Sequence, residues 1–141
     1  MSIESNKKAV REFTKIFKNE HNVNGIDHLF AADFKHNFKA PVSAGIKGFK
    51  EIGTVMNTAF PDVVVTEDDL IADERTVVER STANATNMGN YMQFPATNKK
   101  CKWTEIHIYR FNNEGKICEH WVEFSQLELM MQIEAVKWVN K

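Results

Sequence analysis

Three side chains able to move protons, Glu105, His107 and His120, fall within one stretch, Trp103 to Phe124. That stretch divides into two runs, Trp103–Phe111 and Lys116–Phe124, separated by Asn112-Asn113-Glu114-Gly115. Both runs alternate with a period of two and are rich in β-branched and aromatic residues, so they predict a β-hairpin. With Phe111 opposite Lys116, His107 lies opposite His120, Glu105 opposite Val122 and Trp103 opposite Phe124. Directly opposed residues share a face with Cβ atoms about 5 Å apart. Two histidines so placed form an acid-base pair whose pKa values are pushed apart, or a satisfied structural contact. Glu105, two residues from His107 on the same side, is either a proton-transfer group whose pKa burial raises, or a rim glutamate.

The other hairpin face carries Ile106, Ile108, Ile117 and Trp121 among Lys102, Arg110, Glu119 and Glu123. An apolar centre with charged surroundings suits a subunit interface, which predicts a homodimer or a higher homo-oligomer.

The elements that must hold this hairpin are readable upstream. Ala9, Val10, Phe13, Ile16 and Phe17 recur at helical spacing, with Lys7, Lys8, Arg11, Glu12, Lys15 and Lys18 between them. This predicts an amphipathic helix ending near Asn19–Asn22. A short second helix capped by Asn24 carries Ile26, Leu29 and Phe30, and an irregular or extended segment runs from Asp33 to Pro41. A third helix carries Phe49, Ile52, Met56 and Phe60 and stops at Pro61. From Val63 the pattern has strand periodicity: Val63–Thr66, Leu70–Ala72, Thr76–Asn87, then the hairpin. Met88 to Lys100, with Gly89 and Pro95, is a loop over one end of the sheet. Ser125 and Glu128 have capping-box spacing, so a last helix is expected from Ser125 through Met131 and Trp138.

Three helices, a strongly curved antiparallel sheet and one closing helix make an α+β fold, a cone-shaped barrel around an internal pocket. Such pockets are mostly apolar with a few fixed polar groups. Tyr91, Phe94, Trp103, Tyr109 and Phe124 are the aromatic core or lining residues of this pocket. Arg80 is a buried counter-ion or a solvated strand arginine.

With 141 residues the chain makes one domain able to bury its own core. Its 18 basic and 19 acidic residues give a net charge of −1 and are mixed along the chain, so no basic stripe invites nucleic acid. No apolar run reaches the roughly 20 residues that span a bilayer, and Met1–Ser5 has no apolar signal core. A soluble, cytoplasmic protein without membrane partners is expected. Cys101 and Cys118 lack paired spacing and read as small strand hydrophobes, with a disulfide between them left open. No HExxH, cysteine pair or acidic cluster marks a metal, and no glycine-rich phosphate loop follows a strand. The expected chemistry needs no cofactor.

Several motifs, in order, resemble one family: Ala59-Phe60-Pro61-Asp62, Glu67–Ala72, Val77-Val78-Glu79-Arg80, His107-Ile108-Tyr109-Arg110-Phe111 and Gly115–Trp121. Over roughly residues 8 to 133 they are similar to the SnoaL-like polyketide cyclases of the nuclear-transport-factor-two-like superfamily. The resemblance implies a cone-shaped α+β barrel, usually dimeric, and a metal-free aldol ring closure driven by a pocket histidine and an aspartate. His107 stands at the family's histidine position, whereas Val122 stands where the aspartate would be. Asn87 replaces a strand histidine of many relatives, and His36 and Asn37 match two residues of a pocket-mouth triplet. Enolate chemistry needs a base for a carbon-bound proton, and positioned acid-base groups contribute about 10²- to 10⁴-fold. Valine cannot serve, so Glu105 on the neighbouring strand is the candidate relocated carboxylate.

Three readings follow. The first is a cyclase, isomerase or lyase acting on a small, mainly apolar carbonyl compound with His107, Glu105 and a supporting His120. The second is a non-catalytic small-molecule binder using the same pocket, lined by His36, Asn37, Asn87, Tyr91, Trp103, Tyr109, Val122 and Phe124. The third is an interaction protein acting through its oligomeric face. Fold alone does not choose among them.

Overall fold

The computed structural model describes residues 2–139. Helix α1, Ile3–Phe13, starts at Ser2, whose hydroxyl accepts the Ser5 N–H at 3.0 Å, and continues directly into a π-helical turn, Thr14–Asn19. A 3₁₀ turn at Asp27–Leu29 leads into β1, Phe30–His36. Helix α2 spans Gly45–Ala59 and ends at Phe60, because Pro61 offers no amide hydrogen and disfavours helical backbone before it. Strands β2 (Val64–Ala72), β3 (Thr76–Thr86), β4 (Lys100–Phe111) and β5 (Ile117–Phe124) follow, and α3 (Gln126–Gln132) closes the chain.

The sheet order is β1-β5-β4-β3-β2, an open five-stranded α+β sheet consistent with a cone. Three pairings are antiparallel, and β1 joins β5 in parallel, so the sheet is mixed rather than wholly antiparallel. That edge also accounts for the expected second helix. Phe30–His36 finds partners along β5, and a single 3₁₀ turn is all that remains of helical structure there, a tertiary override of local propensity.

On the inner sheet face, α1, the π-helical turn and α2 bury Val10, Phe13, Phe17 and Phe49 against Val77, Tyr109, Phe111 and Ile117. Phe17 stacks on Phe13 at 5.0 Å and on Phe49 at 5.2 Å between ring centres, and Phe49 meets His120 at 5.1 Å. A second cluster, around Phe60, Tyr91, Trp103 and Leu129, closes the other end. Both cysteines are free.

The hairpin register differs from the expected one by two residues. His107 pairs with Val122, Tyr109 with His120 and Glu105 with Phe124. The cause lies in the loop: the Asn112 side chain accepts the amides of Glu114 and Lys116, each at 3.0 Å, and draws Lys116 into the turn. Gly115 takes up φ +73°, which suits glycine, and an irregularity between Arg110 and Phe111 adds the remaining offset. An even shift keeps every site residue on its expected face. The irregularity does turn Ile117 inward, where it is fully buried, so Ile117 leaves the outer apolar set.

Helix α3 is shorter than expected. Ser125 makes no cap; its hydroxyl instead accepts the Thr104 N–H at 3.0 Å, and Trp138 lies exposed beyond the helix. Arg80 is solvated and paired with Asp69 at 2.7 Å. No described helix is long and apolar enough to cross a membrane.

Candidate functional site

Alternation along β4 points Trp103, Glu105, His107 and Tyr109 to the helix-covered face, and the even positions of β5 bring His120, Val122 and Phe124 beside them. Between this face and the helices is a cavity of about 620 Å³, the size of an ordinary small-molecule site. Phe17, Phe38, Phe49, Met56, Trp103 and Phe124 give it largely apolar walls. Its polar end is made by Lys18, Glu105, His107 and His120.

Those four groups form one bonded array. His107 Nδ1 lies 2.8 Å from His120 Nε2, and His107 Nε2 lies 2.8 Å from Glu105 Oε1. Although two residues out of direct opposition, the two histidines touch because diagonal neighbours on a strand pair remain within side-chain reach. Trp103 Nε1–H donates to Glu105 Oε2 at 2.8 Å. Lys18 Nζ lies 3.0 Å from His107 Nε2, 3.3 Å from Glu79 Oε1 and 3.5 Å from Glu105 Oε1. Glu79, only 1% exposed, also accepts from Thr14 at 2.9 Å and from the Tyr109 hydroxyl at 3.4 Å.

The electrostatics correct one expectation. Burial alone would raise the Glu105 carboxyl, but Lys18, His107 and Trp103 together outweigh it and hold it well below the usual carboxylate range. Glu79 is likewise depressed, burial being overcome by Lys18, His107 and Thr14. Burial, with Lys18 beside it, lowers His107, and burial with His107 lowers His120 further, so both rings are neutral near pH 7. With Glu79 behind the array counted in, one ammonium stands against two carboxylates, and His120 Nδ1 is buried without a hydrogen-bond partner among the described residues.

The candidate residues divide by position. Glu105, His107, His120, Tyr91, Trp103, Val122 and Phe124 line the cavity. His36, Asn37, Asn87 and Tyr109 do not. His36 Nε2 faces the Ser43 carbonyl at 3.2 Å, and Asn37 ties β1 to the His120 carbonyl and to Glu119. Asn87, fully buried, knots the following loop by accepting from Thr97 and donating to Gly89. Tyr109 lies beneath the histidines, its ring 5.0 Å from that of His120.

Lys18 and Glu79 were missed as site residues. Lys18 reads as one more cation on the polar side of an amphipathic helix, and Glu79 as an alternating strand residue within a motif. The one available signal was Glu79 itself, an acid at an inward position between the buried Val77 and Ser81. Among the described residues no cluster of His, Cys, Asp and Glu could hold a metal ion.

A family model, SnoaL-like polyketide cyclase, matches residues 7–133. The chain belongs to the SnoaL-like polyketide cyclase family, as its motif order and fold both indicate. Solved structures of similar fold include AclR from Streptomyces galilaeus, named as a candidate hydroxylase, at 23% identity and TM-score 0.84, with 96% of this chain and 100% of that one covered. A candidate polyketide cyclase from Acidithiobacillus ferrooxidans is 25% identical, TM-score 0.81, with 97% and 100% covered. IdmH from Streptomyces antibioticus, also named as a candidate polyketide cyclase, is 20% identical, TM-score 0.77, with 92% and 98% covered. No curated protein matches the sequence.

Proposed function

We propose that this protein binds a small, mainly apolar carbonyl compound and rearranges it by cofactor-free acid-base chemistry, as a cyclase, isomerase or lyase. The observation behind this reading is the chain of 2.8 Å contacts Glu105–His107–His120 set at a polar end of a largely apolar cavity. In the reaction, His107 takes a proton from the carbon next to the carbonyl. The C–H electron pair becomes an enolate, whose oxygen finds its nearest cation in Lys18. Glu105 stays ionised and stabilises the imidazolium that forms, and His120 supports the ring from Nδ1.

A depressed carboxyl suits this electrostatic role better than a proton-transfer one, so the family's acid has not simply moved from position 122 to Glu105. Glu105→Gln, which keeps the shape but loses the charge, should lower turnover about 10²-fold with the fold intact. Full activity in that variant would remove Glu105 from the mechanism.

A second reading, a non-catalytic binder, is favoured by the saturation of Glu105: Trp103 occupies one oxygen, and His107 with Lys18 the other. Quenching of Trp103 fluorescence by a ligand that the protein leaves chemically unchanged would support it.

A further inference from the structure

Two contacts at one nitrogen make opposite demands. Glu105, held as a carboxylate, can only accept, so its 2.8 Å contact with His107 Nε2 requires a proton on that nitrogen. Lys18, as an ammonium, can only donate, so its 3.0 Å contact with the same Nε2 requires a lone pair there. The proton on Nδ1 or Nε2 therefore decides whether His107 offers the cavity a base or a spent N–H. Every element packed around the ring contributes: Lys18 from the π-helical turn, Glu79 from β3, Glu105 and Tyr109 from β4, and His120 from β5 with His36 of β1 beyond it.

We propose that Lys18 is a positioning residue that arms His107, holding the ring in the Nδ1–H form with the Nε2 lone pair on the ammonium, so that the lone pair is released as a base when the ammonium turns to the substrate oxygen. The ammonium has three N–H groups and three acceptors around it, His107 Nε2 being the nearest, ahead of Glu79 and Glu105. With Nε2 accepting, Nδ1–H donates to His120 Nε2, and the His120 proton sits on Nδ1, which has no partner among the described residues. That unpartnered N–H is one cost of the armed form; the other is the Glu105 carboxylate 2.8 Å from the Nε2 lone pair, offset by the ammonium that lies 3.0 Å from the nitrogen and 3.5 Å from the same oxygen. Without Lys18, the carboxylate of Glu105 claims the Nε2 proton, His120 turns to donate from its own Nε2, and the cavity loses its lone pair.

The π-helical turn is what brings the ammonium in. A turn closed by i→i+5 bonds is wider than an α-turn and often lies at functional sites. Here Thr14, Phe17 and Lys18 all face the sheet, Thr14 and Lys18 both bonding to Glu79.

This inference rests on His107 being the proton-handling group, yet its test needs no activity. In ligand-free, ¹⁵N-labelled protein at pH 8, long-range ¹H–¹⁵N spectra distinguish protonated from lone-pair ring nitrogens. Nε2 of His107 is expected to carry the lone pair in the native protein, and Lys18→Met should move the proton onto it. The same variant should raise the pKa of His107 by about one unit or more, since a neighbouring positive charge is gone. Because Lys18→Met leaves Glu79 buried without its cation, Lys18→Met with Glu79→Gln provides a paired variant, in which the tautomer is the readout. A protonated Nε2 in the native protein, or an unchanged lone pair in whichever variant folds, would overturn the proposal. Failure of the chemistry above with the tautomer as stated would instead count against the proposed function alone.

Discussion

At the scale of single residues, the site is a buried charge balance, and its most costly member to lose is Lys18. Removing one partner of a buried ion pair leaves an uncompensated charge, at about 3–5 kcal/mol. Urea denaturation of Lys18→Met should show a loss of that size, and a loss below about 1 kcal/mol would mean that water reaches Glu79 freely. Acid should act on the same groups. His107 and His120 titrate in the folded protein below their unfolded value of about 6.5, so as pH falls through that value the unfolded chain takes up protons that the folded one refuses. Stability should be level from pH 8 to 7 and lower at pH 5.5. It should fall again below about pH 4.3, where unfolded glutamates protonate while Glu79 and Glu105 resist. A urea midpoint equal at pH 7.5 and 5.5 would contradict neutral buried histidines. Glu105, His107 and His120 were legible because strand alternation places them on one face whatever the even shift in register. Lys18 was not, since helical periodicity alone cannot announce a π-turn.

At the scale of elements, α2 and the π-helical turn are fitted closely enough that a methyl group matters. A Cβ on Gly53 would stand 2.3 Å from the ring of Phe17, which is held between Phe13 and Phe49. Overpacking of this kind costs about 1–3 kcal/mol, against about 1 kcal/mol gained when alanine replaces glycine in a helix. Gly53→Ala should therefore lose about 0–2 kcal/mol in a thermal or urea melt; a variant more stable than the parent would show that Phe17 yields easily. Strong periodicity made α1, α2 and the four antiparallel strands readable in advance. The second helix and the reach of α3 were not, because Phe30–His36 is committed by pairing with β5, and Ser125 by bonding to Thr104 rather than to its own helix.

At the scale of the whole molecule, the outer sheet face bears on assembly. Ile106 is 47% exposed, Ile108 and Trp121 are half-buried, and the Arg110 guanidinium lies 4.8 Å over the Trp121 ring. We propose that this face joins two copies into a symmetric dimer. Light scattering at micromolar concentration should give twice the chain mass, and Trp121→Asp should give the monomer. A native monomer, or a variant of unchanged mass, would rule this interface out.

The proposed chemistry itself reduces to one event, loss of a proton from carbon next to a carbonyl. It can be watched in D₂O by NMR with a neutral bicyclic aryl ketone as probe, its occupancy of the cavity followed through Trp103 fluorescence. With probe bound, exchange of the α-protons should run well above the buffer rate and drop about 10²-fold or more in His107→Asn. Exchange at the buffer rate with the cavity occupied, or at the native rate in His107→Asn, would contradict it.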